Sequence, residues 1–180
     1  MKNQNTKKLA YAALFLALCL VLPMLTGQIP QIGSMLLPMH IPVLLCGLVC
    51  GWQYGAAVGF VAPLLRSVLF GMPPMYPVAI AMAFELLTYG LVIGLVYRRM
   101  AQKGAAGVYA ALLPAMVAGR LVWGVAEVVL LGLGGKAFTA QTFLAGALLN
   151  AVPGIIVQLV LIPAVMAVLQ KAGAVKEYAE

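Results

Sequence analysis

The chain has 180 residues, of which 64% are hydrophobic and 8% charged, with a formal net charge of +7 and a mean hydropathy of +1.07. A soluble domain is about half apolar and about a quarter charged, so this composition excludes water as the main solvent and leaves no length for a soluble catalytic domain. Nucleic-acid binding is excluded as well, because the basic residues lie at the ends of apolar runs and form no continuous basic face.

A membrane helix needs about 20 largely apolar residues to cross roughly 30 Å of hydrocarbon, and the hydropathy pattern predicts six. The first covers residues 9–25, after Lys2, Lys7 and Lys8, and stops where Thr26, Gly27 and Pro30 break the pattern. It is too long for the core of a secretory leader, and further apolar segments follow it, so it reads as a helix that is kept. The second, 35–52, is interrupted by Pro38, His40 and Pro42, which predicts irregular first turns. The third covers 54–70 and is closed by Gly71-Met72-Pro73-Pro74; the fourth, fifth and sixth cover 78–97, 108–133 and 143–169. No internal repeat or interdomain linker is evident, so residues 1–180 read as a single integral membrane domain.

Charge orients the bundle. With a cytoplasmic N-terminus, Lys2, Lys7, Lys8, Arg98, Arg99, Lys103, Lys171 and Lys176 all fall inside and Lys136 alone outside, as the positive-inside rule requires. The expected fold class is therefore an all-α membrane protein, a bundle of six transmembrane helices with both termini cytoplasmic. The outer connections become residues 27–41, 71–77 and 134–142. The first two are rich in Pro, Gly and Met, a composition that suits lids as well as plain connectors.

Small residues mark helix contacts. Gly47, Gly51, Gly55 and Gly59, then Gly90 and Gly94, recur every fourth position and predict close internal helix approach. Ala13 and Ala17 make a similar face on the first helix, open to a separate membrane partner. Cys19, Cys46 and Cys50 fall in apolar runs without His or acid at metal-ligand spacing, and read as small buried hydrophobes.

A charge at the centre of a membrane helix costs about 2.5–3.5 kcal/mol or more, which makes each one a candidate for function. Arg66, Glu85, Arg120 and Glu127 qualify, and Arg120, Trp123 and Glu127 share one helix face. Asn150, Gly154 and Gln158 share a face of the sixth helix. In the assigned topology Arg66, Glu85, Glu127 and Asn150 fall in the outer half and Arg120 and Gln158 closer to the middle, and His40, Tyr76, Tyr89 and Trp123 could stack on or hydrogen-bond a ligand. Mutual cancellation of the two Arg and two Glu is the alternative, and Tyr76 is also suited to anchoring at the interface. An Arg partly freed from its Glu would offer a planar fork to a ligand carboxylate.

The chain carries no P-loop, no nucleophile motif and no cluster of His with acids. It is expected to hold no cofactor. Uphill transport would need an ion gradient or an engine borrowed from other subunits. An intramembrane enzyme acting on a lipid through Glu85 or Glu127, and a stand-alone facilitator or channel using the two Arg as an anion path, are the competing readings.

The run Leu37-Pro38-Met39-His40-Ile41-Pro42-Val43-Leu44-Leu45, the glycines from Gly47 to Gly59, the run from Arg66 to Pro74, and Glu85 followed by Tyr89-Gly90 and Tyr97-Arg98 resemble the substrate-binding S components of energy-coupling factor (ECF) transporters. The resemblance covers essentially the whole chain and is strongest from Leu37 to Arg98. It implies a six-helix subunit in a prokaryotic cell membrane that captures a small water-soluble vitamin from outside. It also implies docking, through a helix-1 motif matched by Ala13 and Ala17, onto a membrane coupling protein with two ATP-binding-cassette ATPases that use the ATP. The two Arg suit a small carboxylate, with pantothenate first; folate, riboflavin, pyridoxine, cobalamin and queuosine precursors are the other candidate ligands.

Overall fold

The computed structural model describes residues 2–25, 35–100, 104–134 and 151–173. Among them run six helices and no strand: α1 (Lys2–Leu25), α2 (His40–Cys50), α3 (Trp52–Phe70), α4 (Ile80–Met100), α5 (Gly104–Leu133) and α6 (Val152–Lys171). A π-helical segment, Met75–Ala79, leads directly into α4. Residues 26–34 and 135–150 lie outside the described residues, and with them parts of two expected loops and the first turns of the expected sixth helix.

Five helices are long and apolar enough to cross a membrane. The expectation of six full-length crossings is not met by α2, whose 11 residues rise about 16 Å against the roughly 30 Å of a hydrocarbon core. The cause is local. Leu37 has φ of 50°, the His40 N–H closes a turn onto the Leu37 carbonyl at 3.0 Å, and helix geometry starts only at His40. Pro42 then sits in the first turn, where its missing N–H costs nothing. At the other end Gly51 has φ of 98°, a conformation open to glycine that lets α3 begin at Trp52 without a loop. Elsewhere the helices outrun the apolar pattern. α1 begins at Lys2 and α5 at Gly104, because flanking residues, polar in α1 and small in α5, extend a helix that the apolar run has already nucleated.

Close backbone contact joins α2, α3 and α4. A Cβ on Gly94 would lie 2.5 Å from the Trp52 Cα, one on Gly55 2.7 Å from the Gly47 Cα, and those on Gly59 and Gly90 would overlap the Leu86 and Gly55 carbonyls. In lipid, close approach and dispersion take the place of the hydrophobic drive, so these glycines hold the three helices together as their spacing predicts. Gly51 is different, since a Cβ there would meet nothing within 4 Å and its role is the turn. The outer surface is apolar. Leu113, Val117, Leu121 and Val125, exposed at successive four-residue steps of α5, form a stripe suited to acyl chains.

One proline break is repaired from a neighbouring helix. Pro163 cannot donate to the Leu159 carbonyl one turn before it, and the Tyr109 hydroxyl of α5 donates there at 3.1 Å. α1 is tied to α3 as well, where Arg66 Nη1 donates to the Leu20 carbonyl.

Gly90→Ala should lower stability by about 1–3 kcal/mol through overpacking, read as a lower Tm in detergent. Gly132→Ala, where a Cβ would meet no atom within 4 Å, should leave Tm unchanged or raise it, as alanine is the better helix former.

Candidate functional site

Glu85 lies on the second turn of α4, with its carboxylate enclosed by three helices. Its Oε1 sits 2.9 Å from Arg120 Nη1 on α5 and 3.2 Å from His40 Nε2 at the start of α2. One carboxylate oxygen thus meets two nitrogen-bearing side chains. Both are close polar contacts rather than well-angled hydrogen bonds, the one to Arg120 an ion pair, since neither Glu85 Oε1 nor His40 Nε2 completes hydrogen-bond geometry.

Tyr89, one turn further along α4, closes the cluster. Its ring packs edge-on against His40 with centroids 5.1 Å apart at 78°, and its hydroxyl lies close to both Glu85 and Arg120. Room for the ring comes from Gly119, where a Cβ would stand 2.7 Å from the Tyr89 Cδ2 and Cε2. Gly119 directly precedes Arg120, so the residue that admits the tyrosine also fixes the place of the arginine.

Several buried polar atoms have no hydrogen-bond partner among the described residues: in the cluster His40 Nδ1 and Arg120 Nε and Nη2, and on α6 both Oε1 and Nε2 of Gln158. Leaving such a group buried and unpaired costs about 1–3 kcal/mol. Arg120 is engaged by Glu85 through Nη1 alone, and its Nε–Nη2 edge, the side-on fork that matches a carboxylate, has no protein partner among the described residues.

The expected site residues divide. His40, Glu85, Tyr89 and Arg120 come together. Glu127 is buried on α5 within electrostatic reach of Glu85 and makes no ion pair with a described residue. Trp123 is half-buried between Arg120 and Glu127 in sequence and has interactions of its own. Arg66 is buried but turned onto α1: besides its bond to the Leu20 carbonyl, its guanidinium lies over the Phe70 ring, 5.2 Å from the centroid. Tyr76 is exposed, and its hydroxyl donates to the Leu130 carbonyl near the end of α5, tying the segment before α4 to that helix. Ala13 and Ala17 are both exposed on α1. Asn150 lies outside the described residues.

Gln158, absent from the expected ligand set, is the addition. Its signal in the sequence is weak: a single amide sharing a helix face with Gly154. Cys19, Cys46 and Cys50 are buried thiols, and among the described residues no group of three His, Cys, Asp or Glu is arranged to hold a metal ion.

Comparison with known proteins gives one assignment. The family model described as ECF transporter, substrate-specific component, matches residues 7–166. No curated protein and no solved structure matches the chain.

Glu85→Ala should cost about 3–5 kcal/mol, because it leaves Arg120 buried without its counter-charge. Arg66→Met should cost less, about 1.5–3 kcal/mol, the range of a hydrogen bond from a charged donor. Thermal unfolding of the purified variants in detergent measures both.

Proposed function

Because the chain belongs to the ECF transporter substrate-specific components, a family of transporter subunits rather than enzymes, we propose that it captures a small water-soluble vitamin carrying a carboxylate, pantothenate first. In this reading the ligand enters from outside and is passed inward through a coupling protein driven by two ATPases. Family membership implies a multi-pass membrane protein, a small-molecule substrate and an ECF module as its partner. The vitamin, the outward-facing site and a cell membrane with both termini cytoplasmic are our proposals.

The observation that carries the substrate is the free edge of Arg120. Glu85 takes Nη1, while Nε and Nη2 stay buried without a described partner. A guanidinium held in this way is pre-oriented for two parallel hydrogen bonds to a carboxylate. Glu85 and His40 act as positioning residues, one holding the arginine and the other holding the glutamate from the opposite side. Among the candidate vitamins, pantothenate and folate carry a carboxylate. Riboflavin and pyridoxine carry none, so they would leave the fork unmet.

Two features support the borrowed engine. The chain carries no nucleotide-binding motif, and Ala13 and Ala17 are exposed on α1, where a small-residue face is available to another membrane helix.

Arg120→Ala should weaken pantothenate binding to the purified chain at least tenfold, as loss of a charge-assisted pair predicts, while Arg66→Met leaves affinity within about twofold. Equal affinity of wild type and Arg120→Ala would remove the carboxylate assignment. Mass spectrometry of small molecules released from unwashed protein identifies the ligand directly. Ala13→Trp together with Ala17→Trp should abolish uptake by proteoliposomes containing the whole ECF module while leaving ligand binding intact; loss of binding instead would show that this face packs within the chain.

A further inference from the structure

Gln158 is 0% exposed, and neither polar atom of its amide has a hydrogen-bond partner among the described residues. A buried amide of this kind works against folding. Each unmet donor or acceptor costs about 1–3 kcal/mol, and an apolar residue of similar volume would fill the same space without that cost. Buried unpaired polar groups in native proteins are few, and each calls for a ligand, a water or a function.

Register places the amide at the depth of the charged cluster. The Gln170 Nε2 of α6 donates to the Tyr97 hydroxyl of α4 at 3.0 Å, near the C-terminal end of each helix. Counting back from that tie, Glu85 is 97 − 85 = 12 residues up α4, and Gln158 is 170 − 158 = 12 residues up α6. Both therefore lie about 18 Å along their helices from the same mark. A second mark agrees. Gly154, one turn before Gln158, backs onto the Met35 and Leu36 carbonyls, in the segment that leads to His40.

We propose that Gln158 is a ligand-contacting residue that determines specificity, forming a neutral pole opposite the Arg120 fork. A primary amide presents a donor and an acceptor side by side, so its complement is a group with both, namely an amide or a hydroxyl. The substrate class is then a carboxylic acid that also bears an amide or hydroxyl group, and simple monocarboxylates are discriminated against because they leave the glutamine unmet. This rests on the carboxylate reading of the site and adds to it a second, uncharged recognition element.

The test uses Gln158→Leu and Gln158→Glu in the full-length purified chain, with pantothenate (carboxylate, amide and hydroxyls) and nicotinate (carboxylate on a ring without amide or hydroxyl) as probes. The expected result is that Gln158→Leu binds pantothenate at least tenfold more weakly while its ligand-free Tm equals or exceeds that of wild type. Its affinity for nicotinate should change less than twofold, so discrimination between the two probes falls. Gln158→Glu, which adds a charge facing an anionic ligand, should bind pantothenate more weakly still. A ligand-free Gln158→Leu protein with a clearly lower Tm overturns the proposal, because the amide is then part of the fold. Unchanged pantothenate affinity in Gln158→Leu overturns it as well. If wild type binds neither probe, the vitamin assignment fails by itself, and the ligand-free Tm comparison still decides whether the glutamine is kept for the fold or against it.

Discussion

A single carboxylate organises this molecule. Glu85 is buried in an apolar bundle, where an unpaired charge is prohibitive, so its environment must supply positive or proton-bearing groups. Arg120 and His40 supply them from α5 and α2. Each partner in turn restricts a helix, since His40 is the first residue of α2 and Arg120 follows the glycine against which Tyr89 lies. The position of α2 and α5 around α4 is thus partly an electrostatic matter. A buried ion pair of this kind need not add net stability, but it specifies one arrangement of helices over others, and here it leaves one edge of the arginine unspent.

That arrangement depends on a rigid frame. The glycines of α2, α3 and α4 bring three backbones into contact, leaving little freedom for Glu85 and Tyr89 to shift relative to His40. α5 packs closely along α4, with Gly119 against Tyr89, and α6 adds side-chain ties, with Tyr97 bound by Gln170 and Tyr109 on Leu159. The site lies between α2, α4 and α5, where Arg120 keeps polar atoms that a ligand can satisfy.

The sequence made much of this legible, and the limits are physical. Apolar run length and glycine spacing revealed the helices and their close contacts, because both reflect requirements imposed by lipid. Glu85 and Arg120 stood out because charge in an apolar helix is expensive. The short α2 was only half visible: Pro38 and Pro42 announced an irregular start, but the positive φ of Leu37 has no signature in a leucine. The destination of Arg66 was invisible, because its acceptor is a main-chain carbonyl 46 residues away, and every residue has a carbonyl. Gln158 shows the opposite limit. An amide carries no charge to flag its burial, and only the absence of partners in three dimensions makes it conspicuous.

The bond from Tyr109 to the Leu159 carbonyl bears on how the chain is made. A helix entering a bilayer is ordinarily complete in its own hydrogen bonds before it meets its neighbours, but α6, broken at Pro163, is not. Its missing donor comes from α5, which is synthesised first, so the hydroxyl is already in the membrane when the broken helix arrives. Biogenesis therefore has a direction written into it, with the broken helix received by a surface prepared in advance.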